Sequence, residues 1–171
     1  PTDVQCLPDG RPALAFLRLD RGDTPADHHS FVVGIGPKNG FLHCAFEVLD
    51  VDSLGQGQQV LKQGGWRHVW GLARHVLGSQ LFDYWQDPDG FEVEHYADGD
   101  VFTADHPTAY SALDRGGLWQ WGEDLPADFL PQPGPGLLLD VARGLLAGDL
   151  DLETLKQLGA ATGARPRPWL R

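Results

Sequence analysis

The segment Asp87-Pro88-Asp89-Gly90 limits what this chain can fold into more than any other feature of its sequence. Proline fixes φ and glycine supplies a positive φ, so this combination favours a tight turn. The residues on either side, at about 79–86 and 91–96, have the aromatic and β-branched content of strands. We therefore predict an antiparallel pair of strands here.

The stretch before this turn predicts one helix set among strands. A strand is predicted at about 42–49, and Asp50 follows it as a residue type that begins helices. The helix should end at Gly64-Gly65 and be followed by a strand at about 66–71. The predicted order is strand–helix–strand–strand–strand, which is a βαβββ module.

Residues 13–19 and 29–35 predict two further strands, which correspond to the last two strands of a second module. One face of such a sheet needs cover, and a second copy provides it. We expect an α+β fold in which one complete and one partial βαβββ module form a cupped mixed sheet. The chain is then expected to begin partway through an earlier module.

The residues after about 100 differ in character, because 101–136 are rich in proline, glycine and tryptophan. Helices are predicted at about 137–147 and 151–160, and 164–168 is expected to be a surface tail. This C-terminal part should pack back on the module, since its apolar side chains would otherwise be exposed. The predicted domains are the last strands of a truncated module (1–36), a complete module (37–100) and a Trp/Pro-rich loop with a helical extension (101–171).

The composition excludes several classes of partner. A net charge of -11 and a pI near 4.8 argue against DNA, RNA and anionic membranes, which need a basic footprint. No run reaches the roughly 18 apolar residues of a membrane helix, and no signal peptide pattern opens the chain. Cys6 and Cys44 do not make a disulfide framework. We expect a cytoplasmic protein with a small-molecule partner.

His43 and Glu94 are candidate metal ligands, because each lies in a predicted strand of the complete module. An imidazole and a carboxylate on neighbouring strands can hold a non-haem iron when a second imidazole completes the set. Glu92 lies on the same strand face as Glu94 and is the alternative carboxylate. His95 should point to the opposite face.

Several segments together resemble a known enzyme family. They are His29, His43-Cys44-Ala45-Phe46-Glu47-Val48, Gly71-Leu72-Ala73-Arg74-His75, Phe82-Asp83-Tyr84-Trp85-Gln86-Asp87-Pro88-Asp89-Gly90 and Val93-Glu94. Their order and approximate spacing resemble the type I extradiol ring-cleaving dioxygenases of the vicinal oxygen chelate superfamily. The resemblance covers roughly residues 12–100 and implies paired βαβββ modules.

The resemblance implies the metal ligands. His43 matches the second histidine ligand, and Glu94 matches the carboxylate ligand. The first histidine ligand of the family would lie several tens of residues before His29 and has no counterpart here. The seven histidines are His28, His29, His43, His68, His75, His95 and His106. The chain is therefore expected to be a C-terminal catalytic portion that carries two of three ligands and is inactive by itself.

The resemblance also implies catalytic and substrate-binding residues. His29 matches the histidine that acts as acid and base, and neighbouring His28 is the alternative. His75 matches the histidine that hydrogen-bonds the region of the substrate hydroxyls, and Tyr84 matches the tyrosine beside it.

Other conspicuous side chains have less specific expected roles. Trp70, together with Trp66, is expected to form an apolar wall for substrate, which favours a neutral or bulky aromatic compound. Arg74 is expected to form a salt bridge. Trp119 and Trp121 are expected to pack the C-terminal part.

The resemblance implies an Fe(II)-dependent dioxygenase that uses dioxygen to open a catechol-type ring next to its two hydroxyls. Mn(II) is the alternative metal, because both ions accept the same mixed ligand set. A homo-oligomer is expected. Two other functions remain open at this point: a glyoxalase-like metal enzyme of the same superfamily, and a non-catalytic binding protein with this fold.

Overall fold

A computed structural model describes residues 1–37, 39–129 and 134–163. The strands among them are Asp3–Cys6 (β1), Pro12–Leu17 (β2), Ala26–Asp27 (β3), Phe31–Gly34 (β4), His43–Glu47 (β5), Arg67–Arg74 (β6), Leu81–Gln86 (β7), Glu92–Ala97 (β8), Val101–Phe102 (β9), Ala109–Ala112 (β10) and Trp121–Gly122 (β11). The α-helices are Val51–Gln63 (α1), Pro135–Ala147 (α2) and Leu152–Gly163 (α3), and Arg115–Gly117 forms a 3-10 turn. The predicted α+β class is confirmed.

The described residues fall into two units. The first contains Pro1–Asn39, Val101–Leu118 and the described residues from 134 onward. The second contains Gly40–Asp100 and residues 119–129. The residues after 100 are thus shared between the two units, whereas the sequence analysis placed them in an extension of their own. No helix in the described part of the chain is long and apolar enough to cross a membrane.

The second unit contains the strand–helix–strand–strand–strand order predicted from the sequence. Its sheet has the order β11-β6-β7-β8-β5, in which β6, β7 and β8 are antiparallel neighbours. Helix α1 carries the chain from β5 to β6, and the chain then passes through β7 to β8, which pairs with β5 as a parallel neighbour. Parallel strands cannot be joined by a tight turn, so this pairing depends on the crossover through α1.

Local sequence signals account for the ends of these elements. The Asp50 side chain accepts a 2.8 Å hydrogen bond from the Ser53 backbone N–H and caps α1. In the turn between β7 and β8, the Asp87 carboxylate accepts from the Asp89 and Phe91 backbone N–H groups. Gly90 has a φ of 91°, the left-handed conformation that glycine adopts without strain. The predicted tight turn is confirmed.

The first unit has a sheet of order β10-β1-β2-β4. Strand β1 is antiparallel to β2 and parallel to β10, so this polar N-terminal segment is an inner strand. The sequence analysis did not assign a strand there, because residues 3–6 show little apolar alternation. Strand β4 lies at the edge of the sheet, and all four of its residues are exposed.

The predicted strand at 29–35 is wrong at its beginning. Residues 28–30 precede β4, so His29 is not on a strand face shared with Phe31 and Val33. The reason is the short ladder between β3 and β9, which pairs Ala26 with Phe102. This ladder separates the backbone before His28 from β4.

Part of the C-terminal segment packs back on the sheets of its own units, as expected, but helix α2 has no buried residue. In the first unit, the Arg18 guanidinium donates to the backbone carbonyls of Ala104 and His106. Helix α3 is tied to the β1–β2 turn, where Arg11 donates to the Thr154 hydroxyl at 2.9 Å. In the second unit, Trp119 is fully buried. The expected surface tail at 164–168 lies outside the described residues.

A buried carboxylate anchors α1 to the sheet of the second unit. Asp83 is fully buried and accepts hydrogen bonds from Trp85 Nε1 at 2.6 Å and from Gln58 Nε2 at 3.3 Å. His68 Nε2 lies 2.8 Å from Asp83 Oδ1, the same oxygen that Gln58 contacts, whereas Trp85 binds Oδ2. Both carboxylate oxygens therefore have partners, as a buried charge requires.

Asp83→Asn should lower the free energy of unfolding by about 1–3 kcal/mol, the cost of leaving a buried polar group without a partner. An asparagine offers one oxygen in place of two, so either Trp85 or His68 loses its acceptor. Urea unfolding followed by tryptophan fluorescence measures the change. Asp128→Asn is the control, because the Asp128 carboxylate is 68% exposed and meets Arg67 at 3.4 Å. Equal effects of the two substitutions would contradict the prediction.

Candidate functional site

The structure brings His43 and Glu94 together on adjacent parallel strands. His43 is the register partner of Glu92, and Glu94 is opposite Ala45, so the two candidate ligands are diagonal neighbours. His43 Nε2 lies 3.2 Å from Glu94 Oε2. The prediction that these side chains face one another is confirmed, while their role as metal ligands stays a prediction.

Glu94 is the most strongly perturbed carboxylate of the second unit. Its side chain is 6% exposed, and its second oxygen, Oε1, lies 3.5 Å from His75 Nε2. Burial alone would raise the pKa of Glu94, but hydrogen bonds and charges from His43 and His75 outweigh it and lower the pKa to about 2. Glu92 differs, because burial raises its pKa despite the nearby His43 and Arg67. A carboxylate that stays ionised between two imidazoles is the better metal ligand of the two.

The low pKa of Glu94 predicts a pH dependence of stability in the metal-free protein. The folded pKa lies below the ordinary value of 4.5, so its stabilising effect is complete above pH 4.5. It is lost as the pH falls from 4.5 toward 2, by an amount on the order of 3 kcal/mol. Urea unfolding at several pH values, compared with Glu94→Gln, measures this difference. Parallel pH profiles for the two proteins would contradict it.

His75 and Tyr84 lie beside Glu94. The Tyr84 hydroxyl is 3.4 Å from His75 Nε2, and the His75 ring stacks on Phe82 with centroids 3.9 Å apart. Burial, reinforced by the charge of Glu94, raises the pKa of Tyr84 well above its ordinary value of 10.0. The phenol is therefore protonated at neutral pH and can act as a hydrogen-bond donor. This geometry is consistent with the expected pairing of His75 and Tyr84.

Trp70 supports Tyr84 from within the core. The indole is 1% exposed, lies nearly parallel to the Tyr84 ring at 5.8 Å and donates to the Glu123 carbonyl. Its expected role as a substrate wall stays a prediction. In the structure its ring packs against Tyr84 and other aromatic rings of the core. Trp66 is 48% exposed and precedes β6. Phe129 contacts both Trp70 and Tyr84, and nothing in the sequence singled it out.

Arg74, Trp119 and Trp121 were expected to have structural roles. Arg74 donates to the Asp98 carboxylate at 2.6 Å, which confirms the expected salt bridge. Trp119 is fully buried with its ring edge-on to Trp70, whereas Trp121 is 47% exposed. The packing role predicted for this pair is thus confirmed for Trp119 only.

His28 and His29 belong to the first unit and form a polar chain with Asp3. His28 is 1% exposed, and its Nε2 lies 2.6 Å from Asp3 Oδ2. Its Nδ1 lies 2.9 Å from Nδ1 of His29. The sequence analysis treated His28 only as an alternative to His29, and Asp3 was not considered because β1 was not recognised as a strand.

The donor set of the second unit is partial. No group of three or more His, Cys, Asp or Glu side chains among the described residues is arranged to hold a metal ion. The undescribed segments contain none of these residue types. Among the described residues, His43 and Glu94 are therefore a candidate pair of ligands and not a complete donor set.

Comparison with known proteins places this site in context. No protein-family profile matches the sequence. A similar curated protein is metapyrocatechase 2 of Cupriavidus necator, which is 34% identical over 142 aligned residues. The match covers 76% of this chain and 44% of that protein.

Two solved structures share the fold. The Mn(II)-bound glyoxalase of Novosphingobium aromaticivorans has a TM-score of 0.56 and 28% identity, covering 71% of this chain and 44% of its own. Homoprotocatechuate 2,3-dioxygenase of Arthrobacter globiformis has a TM-score of 0.59 and 20% identity, covering 77% of this chain and 40% of its own. The chain spans less than half the length of each of these three proteins.

Proposed function

We propose that this member of the vicinal oxygen chelate superfamily, which is related to the type I extradiol ring-cleaving dioxygenases, supplies catalytic residues for Fe(II)-dependent opening of a catechol-type ring. The observation that carries the proposal is the contact between His43 and Glu94 at 3.2 Å, with His75 and Tyr84 beside it. Imidazole, carboxylate and a protonated phenol in one place are the groups that this chemistry requires.

The two donor side chains fit a bound divalent metal. The separation of 3.2 Å between His43 Nε2 and Glu94 Oε2 would let both atoms contact a single ion, given ligand bonds of about 2.0–2.2 Å. Glu94 is ionised at neutral pH, as a ligand must be. His43 remains 29% exposed, which leaves one side of the pair open.

We propose that a third protein ligand comes from outside these 171 residues. The described residues supply two, and an ion held by two protein ligands is bound weakly because each ligand contributes to the binding free energy. Strand β4 is the edge strand of the sheet in the first unit, and its residues are exposed. In the second unit the strand at the same place in the sheet order, β8, is followed by a parallel neighbour, β5. This comparison supports the addition of another strand beside β4. Robust ring cleavage by a preparation shown by mass to contain residues 1–171 alone would overturn this.

The proposed roles of the protein groups follow from their chemistry. A bound Fe(II) or Mn(II) lowers the pKa of a coordinated hydroxyl and leaves positions for substrate and dioxygen. His29 accepts a proton from a substrate hydroxyl and returns it later, because an imidazole titrates near neutral pH. Tyr84 donates a hydrogen bond to developing negative charge, and His75 orients the substrate hydroxyls. Trp70 holds the Tyr84 ring in place.

Oxygen uptake with a panel of catechols tests the proposed function. The complete enzyme, with the proposed third ligand present, is loaded anaerobically with Fe(II) or Mn(II), its metal content is measured, and uptake is followed together with the ring-opened product. We expect consumption of one dioxygen per ring opened, with the greatest activity on neutral or bulky catechols. Metal binding without oxygen uptake on any catechol would refute the dioxygenase proposal.

A second candidate is a glyoxalase-like metal enzyme. It is supported by the 28% identity to the Mn(II)-bound glyoxalase. The buried Tyr84 beside His75 favours ring cleavage, since that pair adds donors next to the metal ligands. Turnover of a thiol adduct of methylglyoxal, without oxygen uptake, would favour the second candidate. We also propose a homo-oligomer, supported by the exposed apolar side chains of β4, among them Phe31 and Val33.

A further inference from the structure

A row of polar side chains crosses the sheet of the second unit and ends at His43. Arg67 of β6 is the register partner of Gln86, and Gln86 is the register partner of Glu92. Glu92 in turn is opposite His43 on β5. Residues directly opposite one another on neighbouring strands share a face of the sheet, so these four residues form one polar row. Glu92 is two residues before Glu94, and the polar row therefore lies on the face that carries the candidate metal ligands.

The side chains around the candidate ligands leave one side of the second unit's site open. Trp70, Tyr84 and Phe82 are 1%, 3% and 0% exposed, so these packed rings leave no room for a substituent between them. In the polar row the exposed fraction of the side chains rises outward, from 29% for His43 to 64% for Arg67. We therefore expect a ring bound at the candidate ligands to direct its substituent along the polar row.

The polar row and its partner Asp128 carry a net negative charge. The Arg67 guanidinium lies 3.4 Å from the Asp128 carboxylate and donates to the Gln86 side-chain oxygen at 3.2 Å. Glu92 forms no ion pair with any described residue, and the two basic groups that act on it, Arg67 and His43, are paired with other carboxylates. One guanidinium and two carboxylates leave a net charge of -1 beside the path of a substituent.

We propose that Glu92 is a specificity-determining residue that favours catechols with a cationic substituent and disfavours those with a carboxylate substituent. The inference rests on the proposed function and names the substrate class within it. An ammonium group on a short alkyl chain is attracted to the Glu92 carboxylate, whereas a carboxylate on the same chain is repelled. Unit charges several ångströms apart near a protein surface change binding by about 10-fold. Among bulky catechols, Glu92 thus selects by charge.

Anaerobic binding of three catechols to the complete, metal-loaded enzyme tests the inference without turnover. The compounds carry an aminoethyl, an ethyl or a carboxyethyl group at the same ring position, so they differ in charge and little in size. Calorimetry at about pH 8, far above the ordinary glutamic acid pKa of 4.5, compares them with Glu92 as the carboxylate. We expect the affinity to fall from the aminoethyl to the ethyl to the carboxyethyl compound, by about 10-fold at each step.

Glu92→Gln keeps the size of the side chain and removes its charge. The carboxyethyl compound should bind this variant about 10-fold more tightly and the aminoethyl compound about 10-fold more weakly, with the ethyl compound unchanged. The metal content should also stay the same, because Glu92 contacts the substituent and not the metal. Asp52→Asn is the control, since it makes an equal charge change at an exposed position of α1. That helix contacts the opposite face of the sheet through Gln58 and Asp83, so the three affinities should not change.

The unaltered enzyme gives a second measurement, which does not depend on the folding of any variant. High salt should bring the affinities of the aminoethyl and carboxyethyl compounds closer together, because salt screens charges outside the buried core. Equal affinities for the three compounds at low salt would overturn the inference, as would loss of metal from Glu92→Gln or the same shifts in Asp52→Asn.

The outcomes separate this inference from the proposed function. Ring cleavage by an enzyme that binds the three compounds equally well supports the proposed function and overturns the role of Glu92. The expected order of affinities without ring cleavage of any of the compounds supports the role of Glu92 and refutes the dioxygenase proposal. Where both hold, Glu92→Gln should change KM for the charged compounds and leave kcat almost unaltered, because the substituent is remote from the bonds that react.

Discussion

Replacing Glu94 by glutamine or His43 by alanine should abolish stoichiometric metal binding and lower ring cleavage by about 10³-fold or more. The expectation follows from the contact between Nε2 and Oε2 at 3.2 Å, which makes the two side chains a single donor set. A bound metal contributes several kcal/mol to the stabilisation of transition-state charge, which corresponds to a factor of this size. Metal content after loading and oxygen uptake measure the two effects.

His95→Ala is the matched control for His43→Ala. It removes an imidazole from β8, the strand that carries Glu94, at a position that strand alternation directs to the opposite face. Metal content and oxygen uptake should stay close to those of the unaltered protein. Retention of stoichiometric metal in Glu94→Gln, or equal loss in His95→Ala, would contradict the assignment of the ligands.

His29→Ala should retain the metal and lower turnover by roughly 10²–10⁴-fold, the usual contribution of a general acid–base residue. The reason is that His29 matches the acid–base histidine of the family and not one of its metal ligands, and that its Nδ1 lies 2.9 Å from Nδ1 of His28. Metal analysis and steady-state kinetics of the same preparation separate the two effects. A loss of metal that parallels the loss of turnover would contradict an acid–base role.

The sequence was sufficient to predict the second unit of the fold. Its signals are local: a capping aspartate at residue 50, a glycine pair at the end of α1, and a turn whose Asp87 side chain binds its own backbone. Interactions of this kind act between residues a few positions apart, so they can be recognised without knowledge of the tertiary structure. The facing of His43 and Glu94 followed from strand alternation together with the resemblance to the extradiol dioxygenase family.

The sequence failed where pairing is long-range. Strand β1 has little apolar alternation, yet β2 and β10 pair with its two edges. Strand β10 lies more than 100 residues from β1 in the chain, since Ala109 pairs with Asp3, and β3 is held by the likewise remote β9, where Phe102 pairs with Ala26. Backbone hydrogen bonds of this kind do not depend on side-chain pattern, so sequence periodicity cannot reveal them. The same pairing explains why His29 precedes β4 instead of lying in it.

The sequence by itself thus determined the βαβββ order, the acidic surface, and the residue types of the site: His43, Glu94, His75 and Tyr84. Only the tertiary structure decided which of these groups perturb one another. Glu94 is ionised because two imidazoles outweigh its burial, and buried His28 lies 2.6 Å from a carboxylate of β1. Protonation is set by burial and by neighbours within about 3–4 Å, distances that exist only after strands remote in sequence have paired.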